Sequence, residues 1–173
     1  MDVKKLLLEE HSKKRAQYIC DGVISGQANV DELLNLLYHG DIWMRQRSSW
    51  PLELIAIQKE ELIHPHLSEI INVLKTSTED AILRNLYRAL QHMNFTEETI
   101  GPMYEIGYYH LSDPKNAIAI RVFAMSTCTK IAHIFPELAH ELIPLIESHY
   151  ATGSAGYKSR ANRELKSLNQ LIK

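Results

Sequence analysis

The chain has 173 residues, a formal net charge of -2 and 45% hydrophobic residues. A chain of this length buries a hydrophobic core without staples, and this composition excludes disordered, collagen-like and disulfide-stapled proteins. The near-neutral charge also disfavours a dedicated nucleic-acid module, which is usually clearly basic.

The placement of charges and cysteines limits which partners and which cellular compartment the sequence predicts. Residues 151–173 carry five basic side chains against one acidic, whereas residues 80–114 carry two basic against five acidic, an asymmetry that can steer a charged partner. Cys20 and Cys128 form no C-x-x-C pair, so we expect buried, reduced thiols in a cytoplasmic protein. The sequence predicts neither a secretory signal nor a membrane span.

Apolar residues recur every three or four positions, and nothing alternates long enough to indicate a strand. The expected boundaries use Gly40 at a helix C-terminus, Asp41 as the next N-cap, and a capping box from Ser77 to Asp80. The predicted helices span 2–24, 30–39, 41–58, 60–75, 77–93, 96–111, 113–134, 136–150 and 155–171. The helix over 113–134 is predicted to begin at Asp113-Pro114, with proline at its first position.

The predicted helices repeat along the chain. Arginines stand early in four of them, at spacings of 39, 37 and 39 residues: Arg45, Arg84, Arg121 and Arg160. In the following helices a proline recurs after an isoleucine, in Ile63-His-Pro65, Ile100-Gly-Pro102 and Ile143-Pro144. A period of this length built from two helices is typical of HEAT and armadillo arrays.

Residues 41–50 and this periodicity resemble the HEAT-like (armadillo-type) repeat family, which includes short bacterial α-solenoid proteins of unassigned function. The resemblance implies an all-α, right-handed α-α superhelix of about nine helices in four to five pairs, with a concave binding face. It makes 1–173 a single HEAT-like repeat domain, with 1–40 as capping helices and 41–165 as repeats. Asp41 and Asp80 stand four positions before Arg45 and Arg84. Before Arg121 that position is held by Ala117, so the acidic residue of the pattern is missing there. Some such proteins carry the name adenylosuccinate lyase, but the Met-Pro-Lys loop of that enzyme does not occur here.

The arginine series has two interpretations. If the four side chains project the same way, they form a ladder suited to phosphate or carboxylate groups. Alternatively they brace neighbouring repeats, helped by i,i+4 pairs from Asp41 to Arg45 and from Asp80 to Arg84, each stabilising by ~0.2–0.5 kcal/mol. The bracing role is the more common one in repeats of this type.

Trp43 and Trp50 stand seven apart on one helix, with Tyr87 and Arg88 one repeat further on. Aromatics interleaved with arginine can stack on bases or hold a cation. HEAT-like DNA glycosylases use tryptophans and a carboxylate for base excision, and Asp41 is the matching acid here. The same spacing also suits a buried stripe, so we expect at least one of the two tryptophans in the core.

No catalytic, cofactor or metal site is predicted. His64 with His66 and His133 with His140 lack a complete ligand set, and histidines at helix ends suit capping. The stretch from Gly153 to Gly156 is interpreted as a flexible joint rather than an anion-binding turn.

The sequence therefore predicts a non-enzymatic binding or scaffold protein that engages a protein or acidic partner. The alternative is a nucleic-acid-binding protein related to the alkylation-repair glycosylases. The candidate partner-binding residues are Trp43, Arg45, Arg47, Trp50, Arg84, Tyr87, Arg88, Arg121 and Arg160, which Arg163 could extend.

Overall fold

The computed structural model describes residues 1–172, and every regular element within them is helical. The all-α prediction is confirmed. The α-helices are α1 Val3–Glu9, α2 Lys13–Ile24, α3 Val30–His39, α4 Ile42–Gln58, α5 Leu67–Thr76, α6 Asp80–Leu90, α7 Glu97–Ser112, α8 Ile118–Ala132, α9 Ala139–Ser148 and α10 Ala155–Leu168. Short 3₁₀ turns lie at Glu60–Leu62, His64–His66 and Pro136–Leu138.

Ten helices are described where nine were predicted, because the segment 2–24 is broken in two. The Ser12 hydroxyl accepts the Arg15 N–H at 3.1 Å and so starts a new helix after residue 11. Asp2 caps α1 in the same way, accepting the Lys5 N–H at 2.9 Å. A serine side chain satisfies one of the unpaired N–H groups of a first turn, so a local cap overrides the continuous apolar pattern.

The joint before α4 forms as predicted, with Gly40 at the C-terminus of α3 and Asp41 at the N-terminus of α4. The Asp41 carboxylate accepts the Met44 N–H at 2.9 Å, which confirms the N-cap. Gly40 is extended, with φ of -69°, rather than left-handed. Glycine is needed there because a Cβ would lie 2.4 Å from the Leu36 carbonyl oxygen.

Three predicted helix starts are wrong. The helix predicted from residue 60 opens as two 3₁₀ turns, and α5 begins only at Leu67. Ser77 ends α5 and makes no capping box, and α6 begins at Asp80. The start predicted at Asp113-Pro114 is a turn in which the Asp113 carboxylate accepts the Lys115 N–H at 2.9 Å, and α8 begins only at Ile118. The Ser77 hydroxyl accepts from Arg45, and the Asp113 carboxylate accepts within its own turn, so neither side chain caps the first turn of the next helix.

The chain divides into two compact units, 1–94 and 95–173, of which the structure describes residues 95–172 in the second. In the first unit α4 packs between α2 and α6, while α3 packs across α4. In the second unit α8 packs beside α10, and α7 and α9 pack against α8.

The apolar face of each helix supplies the core of its unit. In α6 the predicted stripe is buried at Ile82, Leu83, Leu86 and Leu90. Burial of such a side chain stabilises the fold by ~1.5–3 kcal/mol relative to exposure.

Candidate functional site

All eight arginines of the chain lie on the even-numbered helices. We call these helices the arginine layer: α2, α4 and α6 in the first unit, and α8 and α10 in the second. The arginines are Arg15, Arg45, Arg47, Arg84, Arg88, Arg121, Arg160 and Arg163.

Arg45 braces helix ends rather than facing solvent alone. Its Nε donates to the Leu37 carbonyl in the last turn of α3 at 3.1 Å, and its Nη2 donates to the Ser77 hydroxyl at 2.7 Å. Unpaired carbonyls at a helix C-terminus favour a cation, so the guanidinium stabilises the ends of both α3 and α5.

Arg121 has the same role in the second unit and is only 7% exposed. Its Nε donates to the Leu111 carbonyl near the end of α7 at 3.1 Å, and its guanidinium lies 4.7 Å from the centre of the Tyr157 ring. A side chain buried this deeply is unsuited to partner contact, so it departs from the predicted exposed ladder.

Arg84 and Arg88 are the exposed arginines of α6. Arg88 Nε lies 3.1 Å from the Glu53 Oε1 of α4, and that carboxylate is only 1% exposed. Burial raises the pKa of Glu53 above its usual value, whereas the charges of Arg88 and then Arg84 oppose that rise. The Arg88 side chain is therefore exposed to solvent while its guanidinium pairs with a buried carboxylate. This ion pair restrains the direction of the guanidinium.

The four arginines of the predicted ladder thus do not project alike. Neither Asp41–Arg45 nor Asp80–Arg84 forms an ion pair within the described residues, so the predicted i,i+4 pairs are absent there. Tyr87 is fully buried and lies in the core of the first unit.

The outward side of α4 carries a line of side chains that we call the α4 seam. It consists of residues spaced by four, three, four and three positions: Trp43, Arg47, Trp50, Leu54 and Ile57. Trp43 is 64% exposed and Ile57 is also exposed, while the other three are half-buried. Neither tryptophan is fully in the core, contrary to the expectation that at least one would be.

Residues 7–11 hold the centre of this seam in place. Arg47 Nη1 donates to the Leu7 carbonyl at 2.6 Å and to the Leu8 carbonyl at 3.2 Å. The His11 ring meets Trp50 edge-on at 5.3 Å between centroids. Burial, followed by the charge of Arg47, lowers the pKa of His11, which favours a neutral imidazole against the indole.

The second unit builds a different arginine cluster across α8 and α10. Arg160 donates to the Ser126 hydroxyl, which donates to Glu164 Oε1 at 2.6 Å. Arg163 Nη2 lies 2.6 Å from the same Glu164 oxygen, and the Arg160 guanidinium lies 5.7 Å from the Phe123 ring centre. Glu164 is buried, so two arginines and a serine converge on one shielded carboxylate.

Acidic and basic side chains separate more clearly between helices than between segments of the sequence. In the second unit, α8 and α10 carry six Lys and Arg against Glu164 alone, whereas α7 and α9 carry five Glu and no Lys or Arg. The acidic side chains of that second pair are Glu97, Glu98, Glu105, Glu141 and Glu147. The sequence analysis compared the charge of chain segments and so missed that the acidic and basic side chains of this unit lie on different helices.

Sequence reasoning also missed Glu53 and Ser126 and noted Glu164 only as a charge. The available signal was slight: Glu53 is the only acid in the apolar run 51–57, and Glu164 follows Arg160 by four positions. A single acidic residue in an apolar stripe indicates a buried carboxylate that needs a partner.

The remaining chemistry is structural. Cys20 and Cys128 are buried, as predicted, and burial raises the pKa of the Cys20 thiol to about 11. Among residues 1–172 no group of three or more His, Cys, Asp or Glu is placed to hold a metal ion. Asp41, the acid considered for base excision, has a carboxylate oxygen occupied as the α4 cap. Over the same residues no helix has the length and apolar content to cross a membrane.

Comparison with known proteins identifies the family of the chain. No curated protein and no solved structure matches the chain. The family model described as HEAT repeat domain matches residues 3–167, across both compact units. The paired helices and the repeating arginine agree with that match, and the chain belongs to the HEAT repeat domain family.

Proposed function

We propose that this protein is a non-enzymatic binding protein that engages an acidic segment of another protein through the arginine layer of its first unit. HEAT repeats generally mediate protein interactions, which supports a binding role. The observation that carries the proposal is the α4 seam, whose exposed Trp43 and Ile57 flank a half-buried centre, together with the two exposed arginines of the adjacent helix α6.

Charge complementarity favours an acidic partner. On α4 and α6 the acids are Glu53, which is buried, and Asp80, which lies in the first turn of α6. Beyond that turn the exposed charges of α4 and α6 are therefore arginines, whereas Glu9 and Glu10, in the segment that contacts the seam, pair with Arg15. Charged groups arranged in this way promote encounter and orientation, while apolar side chains near the centre supply most of the affinity.

Position 43 offers a direct test of this proposal. A photo-crosslinking amino acid replaces exposed Trp43, and the same group at exposed Tyr109 in the second unit serves as the matched control. We expect an acidic protein to cross-link from position 43 but not from 109, with a yield that falls in Arg84→Glu and at high salt.

Two results would contradict the proposal. Equal cross-linking from positions 43 and 109 would show that the α4 seam is not selective. Binding of duplex DNA with a steep salt dependence and no protein cross-link would favour the nucleic-acid alternative instead.

A further inference from the structure

We infer that the segment bound on the α4 seam is an amphipathic α-helix with an acidic flank, lying along α4. This inference rests on the proposed function and adds the conformation of the partner. It is argued from the spacing of the seam, from the position of the α6 arginines and from the placement of both tryptophans.

The spacing of the seam matches that of a second helix. From Trp43 to Ile57 the seam covers fifteen residues of α4, which are fourteen steps or about 21 Å at 1.5 Å per residue. Its members follow one another at alternating four- and three-residue steps, about 6 and 4.5 Å along the axis. A partner helix with apolar residues at three- and four-residue spacing presents the same steps, as in paired helices. An extended strand repeats its side chains on one face only about every 6.6–6.8 Å, which falls out of register with these steps.

The α6 arginines define one edge of the bound helix. Asn85 Nδ2 donates to the Ser49 hydroxyl at 3.0 Å, and Arg88 pairs with Glu53, so α6 lies directly beside α4. Arg84 and Arg88 are one helical turn apart on the exposed side of α6. A helix resting on the α4 seam meets them with carboxylates four positions apart on its own flank.

Arg47 interrupts the apolar line near its middle. Because its Nη1 already donates to two backbone carbonyls, the guanidinium is fixed and the stem contributes apolar surface. A partner helix accommodates this position with a small residue or with a carboxylate.

A displayed library of random 21-residue peptides tests the inference. Peptides are selected for binding to the wild-type protein and counter-selected against the double variant Trp43→Ala, Arg84→Glu. Both substituted side chains are exposed, so the variant is expected to retain its circular dichroism spectrum and melting temperature. Ile57→Ser replaces it as the counter-selection protein if it does not.

We expect the selected peptides to carry apolar residues at three- and four-residue spacing flanked by Asp or Glu. A selected peptide should gain helicity on binding and shift the emission of Trp43 and Trp50, the two tryptophans of the chain. Trp43→Ala should weaken binding about tenfold, as expected for an aromatic anchor. Tyr109→Ala and Lys75→Glu, at exposed positions outside the arginine layer, should leave the affinity unchanged.

The outcomes separate the inference from the proposed function. Acidic peptides that bind through Trp43 and Arg84 without helical spacing, or that tolerate a central proline, would overturn the helix and leave the proposed function standing. Selection of basic peptides, or of no peptide that distinguishes wild type from the double variant, would overturn both.

Discussion

The two units each bury one carboxylate within the arginine layer, but they stabilise it differently. In the first unit Glu53 pairs with Arg88, with a weaker contribution from the charge of Arg84, and neither of its oxygens accepts a hydrogen bond among the described residues. In the second unit Glu164 accepts from Ser126 and from Arg163, with Arg160 nearby. A buried charge is tolerated when its hydrogen bonds are made and is costly when they are not. A buried glutamate is therefore expected to stabilise the second unit, through Glu164, and to destabilise the first unit, through Glu53.

Replacing Glu164 by methionine should have the largest effect. Glu164→Met removes the carboxylate on which Arg160, whose side chain is only 20% exposed, and Arg163 converge, so the repulsion between the two guanidinium groups is no longer offset there. We expect a loss of about 3 kcal/mol in the free energy of unfolding, measured by urea denaturation at pH 7. An unchanged free energy would mean that the Glu164 contacts add nothing.

Arg88→Met should be the next largest, at about 2 kcal/mol of destabilisation. The methionine keeps most of the cover over Glu53 but removes the cation paired with it, so the buried carboxylate keeps only the weaker attraction of Arg84. Arg84→Met is the matched control and should change stability by less than about 0.5 kcal/mol, because Arg84 is exposed. Equal losses in the two variants would contradict the role given to Arg88.

Glu53→Met should raise stability, opposite in sign to the same substitution at position 164. It removes a desolvated charge whose partner, Arg88, has a side chain 53% exposed and readily returned to water. We expect a gain of about 1 kcal/mol at pH 7 by urea denaturation. A loss as large as that of Glu164→Met would show that the two carboxylates are equivalent.

The smallest expected effect is the pH dependence that Glu53 contributes to the stability of the first unit. The pKa of Glu53 is raised on folding, so its contribution to stability is greatest below the unfolded value, about 4.3, and falls as the pH rises through the folded value. The advantage of Glu53→Met over wild type should therefore grow from pH 4 to pH 8. An advantage that shrinks over that range would reverse the sign assigned to burial.

The helices and their period could be predicted from sequence because apolar spacing and recurrent arginines repeat the same local physics. The direction of each arginine could not. Arg45 and Arg84 occupy matching positions, yet one reaches a helix end and the other faces solvent. A flexible side chain is placed by the backbone groups that lie within its reach, and these depend on how neighbouring helices end. Glu53 escaped notice for the same reason, since its partner lies 35 positions away.

Charge sorting by layer means that the net charge describes this molecule poorly. Because α8 and α10 are basic and α7 and α9 are acidic, we expect the second unit to carry an electric dipole between the two pairs of helices. A protein with such a dipole binds weakly to both cation- and anion-exchange resins near neutral pH, each through a different side. It also turns in solution to present a chosen side to a charged surface before any specific contact forms.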